Sequence, residues 1–164
     1  MMKVIFKIGG EVLEAAVIVV VLYFLFFPMK IDGVSMENSL MDGDRIIICR
    51  AAAEVGFYGR DSIVIIDYDS NGDSFDIVKR VAAVEGDTIK YSGGELYING
   101  VKAEGYKCQN DDREFVVGEG QVFVLGDNPS HSTDSRSFGP VNKNSVKAVA
   151  LLRFYPFNSV GLLL

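Results

Sequence analysis

The chain is poor in the residues that most often carry catalysis or bind metals. Its 164 residues include one histidine, His131, and two cysteines, Cys49 and Cys108. One histidine excludes a histidine-rich metal centre and allows at most one Ser-His-Asp arrangement. Two cysteines are too few for a disulfide framework or a cysteine-based zinc site. They could bridge in an oxidising compartment, but their separation in sequence says nothing about their distance in the fold. Positive charge is also scarce: 16 Lys and Arg against 22 Asp and Glu leave a net charge of −6. Binding nucleic acid requires a cationic face, so none is expected as a partner. Internal repeats and low-complexity linkers are missing, and the length allows one ordinary domain.

The chain has a single long apolar run. From Ala15 to Met29 it reads AAVIVVVLYFLFFPM without a charge, and Val12 and Leu13 extend it past Glu14. Eighteen such residues rise about 27 Å as a helix, short for a bilayer but workable if Glu14 and Lys30 reach the headgroups. A cleaved signal peptide would end in small residues, whereas this run ends Phe26-Phe27-Pro28-Met29-Lys30. The expectation is a short tail at 1–11, a retained transmembrane anchor at 12–30 and a functional domain at 31–164.

Beyond the anchor, short apolar runs alternate with turn residues, and no helical period is sustained. Arg45–Cys49, Ser62–Ile66, Ile77–Val84, Glu95–Ile98, Val101–Ala103, Gln121–Leu125 and Val146–Phe154 all read as strands. Asn99-Gly100 between two β-prone runs is a strong hairpin signal, because both residues tolerate positive φ. Tyr91–Glu95 (YSGGE) looks like a second hairpin turn, within a hairpin-rich subdomain around 88–120. Asp67–Phe75 and Lys107–Arg113 are polar loops; the first lacks the spacing and distal Glu of a calcium loop and reads as a solvated hairpin tip. The expected domain is all-β.

Three segments stand out chemically. Asp32-Gly33-Val34-Ser35-Met36 places a glycine two residues before a serine, just past the apolar run. In Asp76–Ala82 (DIVKRVA) a strand period of two puts Ile77, Lys79 and Val81 on one face. Desolvation by such neighbours lowers an ammonium pKa and can make the lysine a general base, although a snorkelling edge lysine has the same pattern. In Val124–Gly139 a strand runs into a loop dense with hydroxyls, two carboxylates and one arginine. That composition suits a long hydrogen-bonded turn or a scaffold that orients catalytic groups.

Together, and in this order, the segments resemble bacterial type I signal peptidases, membrane-anchored serine proteases that remove signal peptides from exported proteins. The resemblance rests on GVSMENSL (Gly33–Leu40), DGDRIII (Asp42–Ile48), IVKRVAAVEGD (Ile77–Asp87), LGDNPSHSTDSRSFGPV (Leu125–Val141) and the closing KAVALLRFYPFNSVGLL. It implies a mainly β protein in which one N-terminal transmembrane helix leads to an all-β extracytoplasmic catalytic domain of the signal-peptidase type. The N-terminus would lie inside the bacterial cell membrane and the catalytic domain on its outer face. The resemblance also implies Ser35 as nucleophile, Lys79 as general base, and Ser132 as the hydroxyl holding the lysine amine. Asp134 and Arg136 would form a buried ion pair, with Asp127 the acidic residue of the Gly-Asp-Asn string. Backbone N–H groups of Ser35 and Gly33 would hold the oxyanion, since Gly33 offers no hydroxyl. Ile31, Met36, Leu40, Asp76, Ile77 and Val78 would line shallow pockets for small residues at positions −1 and −3. The implied partners are exported preproteins and the lipid bilayer; no cofactor or metal ion is expected.

The sequence departs from the family pattern at Asn38 and Ser39, where Pro and Thr are usual, at Gly59-Arg60-Asp61 in place of Arg-Gly-Asp, and at Glu85 in place of Pro. None removes a group the chemistry requires. Four other readings stay open here. One is a self-processing Ser-Lys protease of the repressor type, and another is a tethered, non-catalytic β-domain. The third is a peptidase dedicated to one substrate such as a pilin, and the fourth a Ser35-His131-Asp127 triad.

Overall fold

The structure, a computed structural model, describes residues 2–70, 72–108 and 112–163; side chains at 2–10, 21, 23, 24 and 70 are not described. Residues 109–111 of the expected loop at 107–113 therefore lie outside the described residues. Helix α1 runs Met2–Leu25, so the stretch expected as a separate tail is largely helical. Among the described residues no helix is long and apolar enough to cross a membrane.

The apolar run is not one element. Helix gives way to strand β1 (Phe26–Lys30), which corrects the expected span of 12–30. Pro28 is the physical reason: it has no N–H to donate to a preceding turn and biases Phe27 towards extended backbone. Proline is tolerated in a strand at a sheet edge, and β1 pairs only with β2 (Arg45–Cys49), Pro28 lying opposite Ile47.

Among the described residues twelve strands form two sheets. Besides β1 and β2 they are β3 (Ile63–Ser70), β4 (Asp73–Val84), β5 (Thr88–Ser92), β6 (Glu95–Ile98), β7 (Val101–Lys107), β8 (Arg113–Val116), β9 (Gln121–Leu125), β10 (Val141–Asn142), β11 (Val146–Tyr155) and β12 (Gly161–Leu162). The larger sheet has the order β1-β2-β11-β3-β4-β9-β10, with β12 added on β11; the smaller has the order β7-β6-β5-β8. The polar stretch at 67–75, expected as a hairpin tip, is the distal part of the β3–β4 hairpin, with strand pairing that extends out to Ser70 opposite Asp73. The turn at Asn99-Gly100 has φ of 51° and 78°, and Ile98 pairs with Val101. Two short helices, α2 (Arg50–Glu54) and α3 (Ser135–Phe138), complete the regular structure that bears on the site.

Burial follows the strand alternation. One face of the larger sheet buries Val64, Ile66, Val81 and Val124; the other buries Ile46, Ile48, Ile63, Ile65, Ala148 and Ala150, together with Ile31, Met36 and Leu40. A third cluster joins the sheets, with Ala83, Phe123 and Leu125 against Ile89, Tyr91 and Leu96. Buried Asp87 pins the same joint. It accepts from Arg60 Nε at 2.9 Å, Asn99 Nδ2 at 2.9 Å and Val84 N at 2.8 Å, and the Arg60 bond above all holds its carboxyl down at about 2. Cys49 is buried and Cys108 partly buried, and no disulfide joins the two.

Candidate active site

The segment after β1 forms a tight turn whose side chains alternate between anchoring and display. Leu40 N donates to Met36 O at 2.8 Å and Ser39 N to Met36 O at 3.1 Å. Met36 and Leu40, one helical turn apart, are buried against the larger sheet. Ser35, next to an anchored residue, is left partly exposed. Two clamps fix it from outside. Asn128 N donates to Ser35 O at 3.0 Å, and Asn128 Nδ2 donates to Val34 O and to Glu37 Oε2 at 3.1 and 3.0 Å. Arg153 Nη1 donates to Ser39 O at 2.9 Å and to buried Asp44 at 3.0 Å.

Lys79 comes from β4, opposite Val64 of β3, and is only 4% exposed. Its Nζ lies 2.9 Å from Ser35 Oγ. Burial lowers its pKa, with Asp134 and then Asp127 pulling in the opposite direction. The group is therefore pushed towards the neutral amine, whose lone pair can accept the Ser35 proton.

Its neighbour Arg80 binds Asp127 in a fork, with Nε to Oδ1 at 2.9 Å and Nη2 to Oδ2 at 2.6 Å. Arg80 also donates to Ser39 Oγ at 3.0 Å and to Asp61 O at 2.6 Å. The pair thus locks β4 to both the Ser35 turn and the loop after β9. Asp134, fully buried, holds Arg136 Nε at 2.8 Å and Nη2 at 2.9 Å, caps α3 by accepting from Arg136 N, and accepts from Gly126 N at 3.0 Å. Tyr106 Oη donates to Gly126 O at 3.0 Å, so Gly126 is held from both sides.

Several expected site residues are placed differently. Gly33 N donates to Asp42 Oδ1 at 2.9 Å, so its N–H is not free for an oxyanion; φ of +100° turns it towards that carboxylate. Among the described residues the Ser35 N–H makes no hydrogen bond. Ser132 Oγ is buried without a hydrogen-bond partner and lies against Gly126, not bonded to Lys79. Leu40 is fully buried and lines no cleft, because it anchors the turn from below. His131 is exposed, and its ring meets Asn128 Oδ1 at 3.3 Å; among the described residues no hydrogen bond joins it to Ser35 or Asp127, so the triad reading falls.

A cleft of about 140 Å³ opens beside Ser35 and Lys79. Ile31, Met36, Asp76, Ile77 and Val78 line it as expected, and Met29, Lys30 and Asp32 join them. Sequence reasoning missed Arg80, Gly126, Asn128 and Tyr106 as positioning residues. The first three sit inside the motif strings and could have been singled out there. Tyr106 carries no local signal, because its partner lies twenty residues away.

Asn38 explains one departure from the family pattern. Its φ is +88°, and its Nδ2 donates to Asp127 O at 3.3 Å. Proline cannot adopt that φ. Asn38→Pro, although it restores the usual residue, should destabilise the fold by more than about 1 kcal/mol and reduce activity, whereas Asn38→Gly should be tolerated. Thermal melts and peptide cleavage rates of the two variants check this.

The sequence matches the family described as signal peptidase, peptidase S26, over residues 7–155. It is 36% identical to signal peptidase I of Bacillus licheniformis, over 92% of this chain and 90% of that one. It is 33% identical to signal peptidase I S of Bacillus subtilis strain 168, over 90% and 89%. A crystal structure of a signal peptidase I from Enterococcus faecalis V583 aligns at 33% identity with a TM-score of 0.43, covering 56% of this chain and 95% of that one. The chain belongs to the peptidase S26 family, the bacterial type I signal peptidases.

Proposed function

We propose that this S26 peptidase removes signal peptides from exported preproteins with Ser35 as nucleophile and Lys79 as general base, cutting after small residues at −3 and −1. The observation that carries the reading is the 2.9 Å approach of a buried lysine amine to Ser35 Oγ at the edge of the cleft.

Neutral Lys79 takes the Ser35 hydroxyl proton as Oγ bonds to the scissile carbonyl carbon. The carbonyl π electrons move to oxygen, and the Ser35 N–H stabilises that oxyanion. Collapse breaks the C–N bond, and the Lys79 ammonium gives its proton to the departing amine, leaving an ester on Ser35. Water, deprotonated by Lys79, then attacks the ester; the Oγ–acyl bond breaks, the Lys79 ammonium returns its proton to Ser35 Oγ, and the signal peptide leaves with a new carboxylate. The Asp134–Arg136 and Arg80–Asp127 pairs hold the loop and strand that bring these groups together.

The cleft lies between β1 and the half of β4 not paired with β9. An extended peptide there can add as a strand, with alternate residues pointing inwards. Preproteins that differ only at −1 and −3 test this: Ala at both should be cut, and Leu or Phe at −1 should not. Equal cleavage of Leu and Ala at −1 would remove the specificity reading.

Helix α1 is the proposed membrane anchor, with the N-terminus inside and the β-domain on the outer face. Its 24 residues rise about 36 Å, but the charges at Lys3, Lys7, Glu11 and Glu14 leave the described helix short of an apolar span, so the anchor reading rests on its exposed apolar residues. Val12, Leu13, Val17, Ile18, Val19, Val20 and Leu22 are all about half or more exposed, as lipid-facing residues of an isolated span would be.

The base must be neutral, so kcat/KM should rise with pH through the lowered pKa of Lys79, below its ordinary 10.5. Between the folded and unfolded pKa values the unfolded chain binds more protons, so stability should also rise with pH across that window. Lys79→Met should remove both dependences. A flat rate profile, with chemistry limiting, would contradict the assignment.

A further inference from the structure

The smaller sheet carries neither Ser35 nor Lys79, and none of its residues lines the cleft. One of its strands nevertheless reaches the loop after β9. At the edge of the sheet β7 pairs with β6, and between the pairs Tyr97–Lys102 and Glu95–Lys107 the single residue Leu96 faces four residues of β7, 103–106. So wide a bulge lifts the strand out of the ladder and re-aims its side chains. Gly105, at φ of +81°, makes the bend and lies beside Pro129 of that loop. Val101, Lys102, Glu104 and Lys107 stay exposed, whereas Tyr106 turns in and is half-buried.

Tyr106 and its neighbour grip the loop at three points. Tyr106 Oη donates to Gly126 O at 3.0 Å, the Arg136 guanidinium lies 5.3 Å from the Tyr106 ring centroid, and Arg136 Nη1 donates to Lys107 O at 3.1 Å. Burial above all raises the Tyr106 pKa, so the hydroxyl keeps its proton and remains a donor. Gly126 has no slack: a Cβ on it would stand 2.6 Å from Ser35 O. A shift of Gly126 is therefore passed to the backbone of Ser35, whose Oγ lies 2.9 Å from Lys79 Nζ. We infer that the smaller sheet is the mount of the loop after β9 and that Tyr106 is a positioning residue of the reaction. Its hydroxyl sets, through Gly126, the distance between Ser35 and Lys79. This inference rests on the Ser35–Lys79 reading proposed above, and it gives the smaller sheet a task in the chemistry.

Tyr106→Phe tests this, because it keeps the ring, the Arg136 stack and the bulge and removes one oxygen. The full chain in detergent should lose about tenfold in kcat, half the logarithmic cost of a displacement of about 1 Å at a reacting group, with KM within about twofold of wild type. Acylation of Ser35 by a penem, which needs no bound peptide, should slow by the same factor. Tyr97→Phe is the control: Tyr97 is on β6 but lines a surface depression with Lys90, Ser92 and Gly100, and its loss should leave both rates at wild type. A hydrogen bond that only supports the fold would lower the melting temperature and leave kcat and acylation of the folded protein unchanged. That result, a change in KM alone, or an equal loss in Tyr97→Phe would overturn the inference. If Ser35→Ala is labelled and cleaves like wild type, the dyad reading itself fails, a result distinct from failure of Tyr106 alone.

Discussion

Ser35→Ala and Lys79→Ala should each abolish preprotein cleavage while leaving the β-domain folded. Ser35 is partly exposed on a turn anchored by its neighbours Met36 and Leu40, so loss of its hydroxyl removes no packing. Without Oγ there is no bond to the scissile carbon, and activity should fall by at least about 10³-fold. Without the Lys79 amine, no other described side chain bonds to Ser35 Oγ, and the expected loss is on the order of 10²–10⁴-fold. Lys79→Ala should not unfold the chain, because the burial that lowers its pKa also makes the ammonium unfavourable in the folded state. His131→Ala should retain activity within about threefold, since the imidazole is exposed and meets Asn128 rather than Ser35 or Asp127. An inactive His131→Ala beside an active Lys79→Ala would reverse the assignment.

Gly126→Ala should have an effect of comparable size from a residue that touches no substrate. A Cβ on Gly126 would meet Ser132 Oγ directly and would stand 2.6 Å from both Ser132 Cβ and Ser35 O. Real Cβ atoms do not approach so closely, and one of the two neighbours is backbone, so the nucleophile turn must move. Gly126 cannot retreat instead: Asp134 holds its N–H at 3.0 Å and Tyr106 its carbonyl at 3.0 Å. A displacement of about 1 Å at a reacting group costs about 10²-fold in rate. Overpacking should destabilise the fold by only about 1–3 kcal/mol. The expected outcome is a folded protein with kcat reduced about 10²-fold and KM changed much less. Gly126→Ala with wild-type kcat would show that the contact can relax without moving Ser35.

Much of the fold was legible because alternation in strands is a local property. β2, β6 and β9 fall on the residues their patterns predict, and Asn99-Gly100 makes the turn its chemistry requires. β5 and β8 were less legible, since exposed residues such as Lys90, Arg113 and Glu114 dilute their alternation. The end of the apolar run misled because hydropathy does not distinguish a lipid-facing turn from an edge strand; Pro28 was the residue that could. At the site, Ser35 and Lys79 were legible from their motifs. The Gly33 N–H was not, because its acceptor, Asp42, is brought back by the turn at 34–40. The close approach of Gly126 to Ser132 and Ser35 is likewise a tertiary fact, for which the sequence offers only a glycine.

The central claim is that Ser35 is a nucleophile activated by Lys79. The most direct measurement is the intact mass of the full chain after exposure to a serine-acylating penem, followed by mapping of the adduct. One acyl group should appear on the peptide containing Ser35, form faster as pH rises through the lowered Lys79 pKa, form slowly in Lys79→Ala and be absent from Ser35→Ala. An adduct on any other residue, or labelling undiminished in Ser35→Ala, would contradict the account.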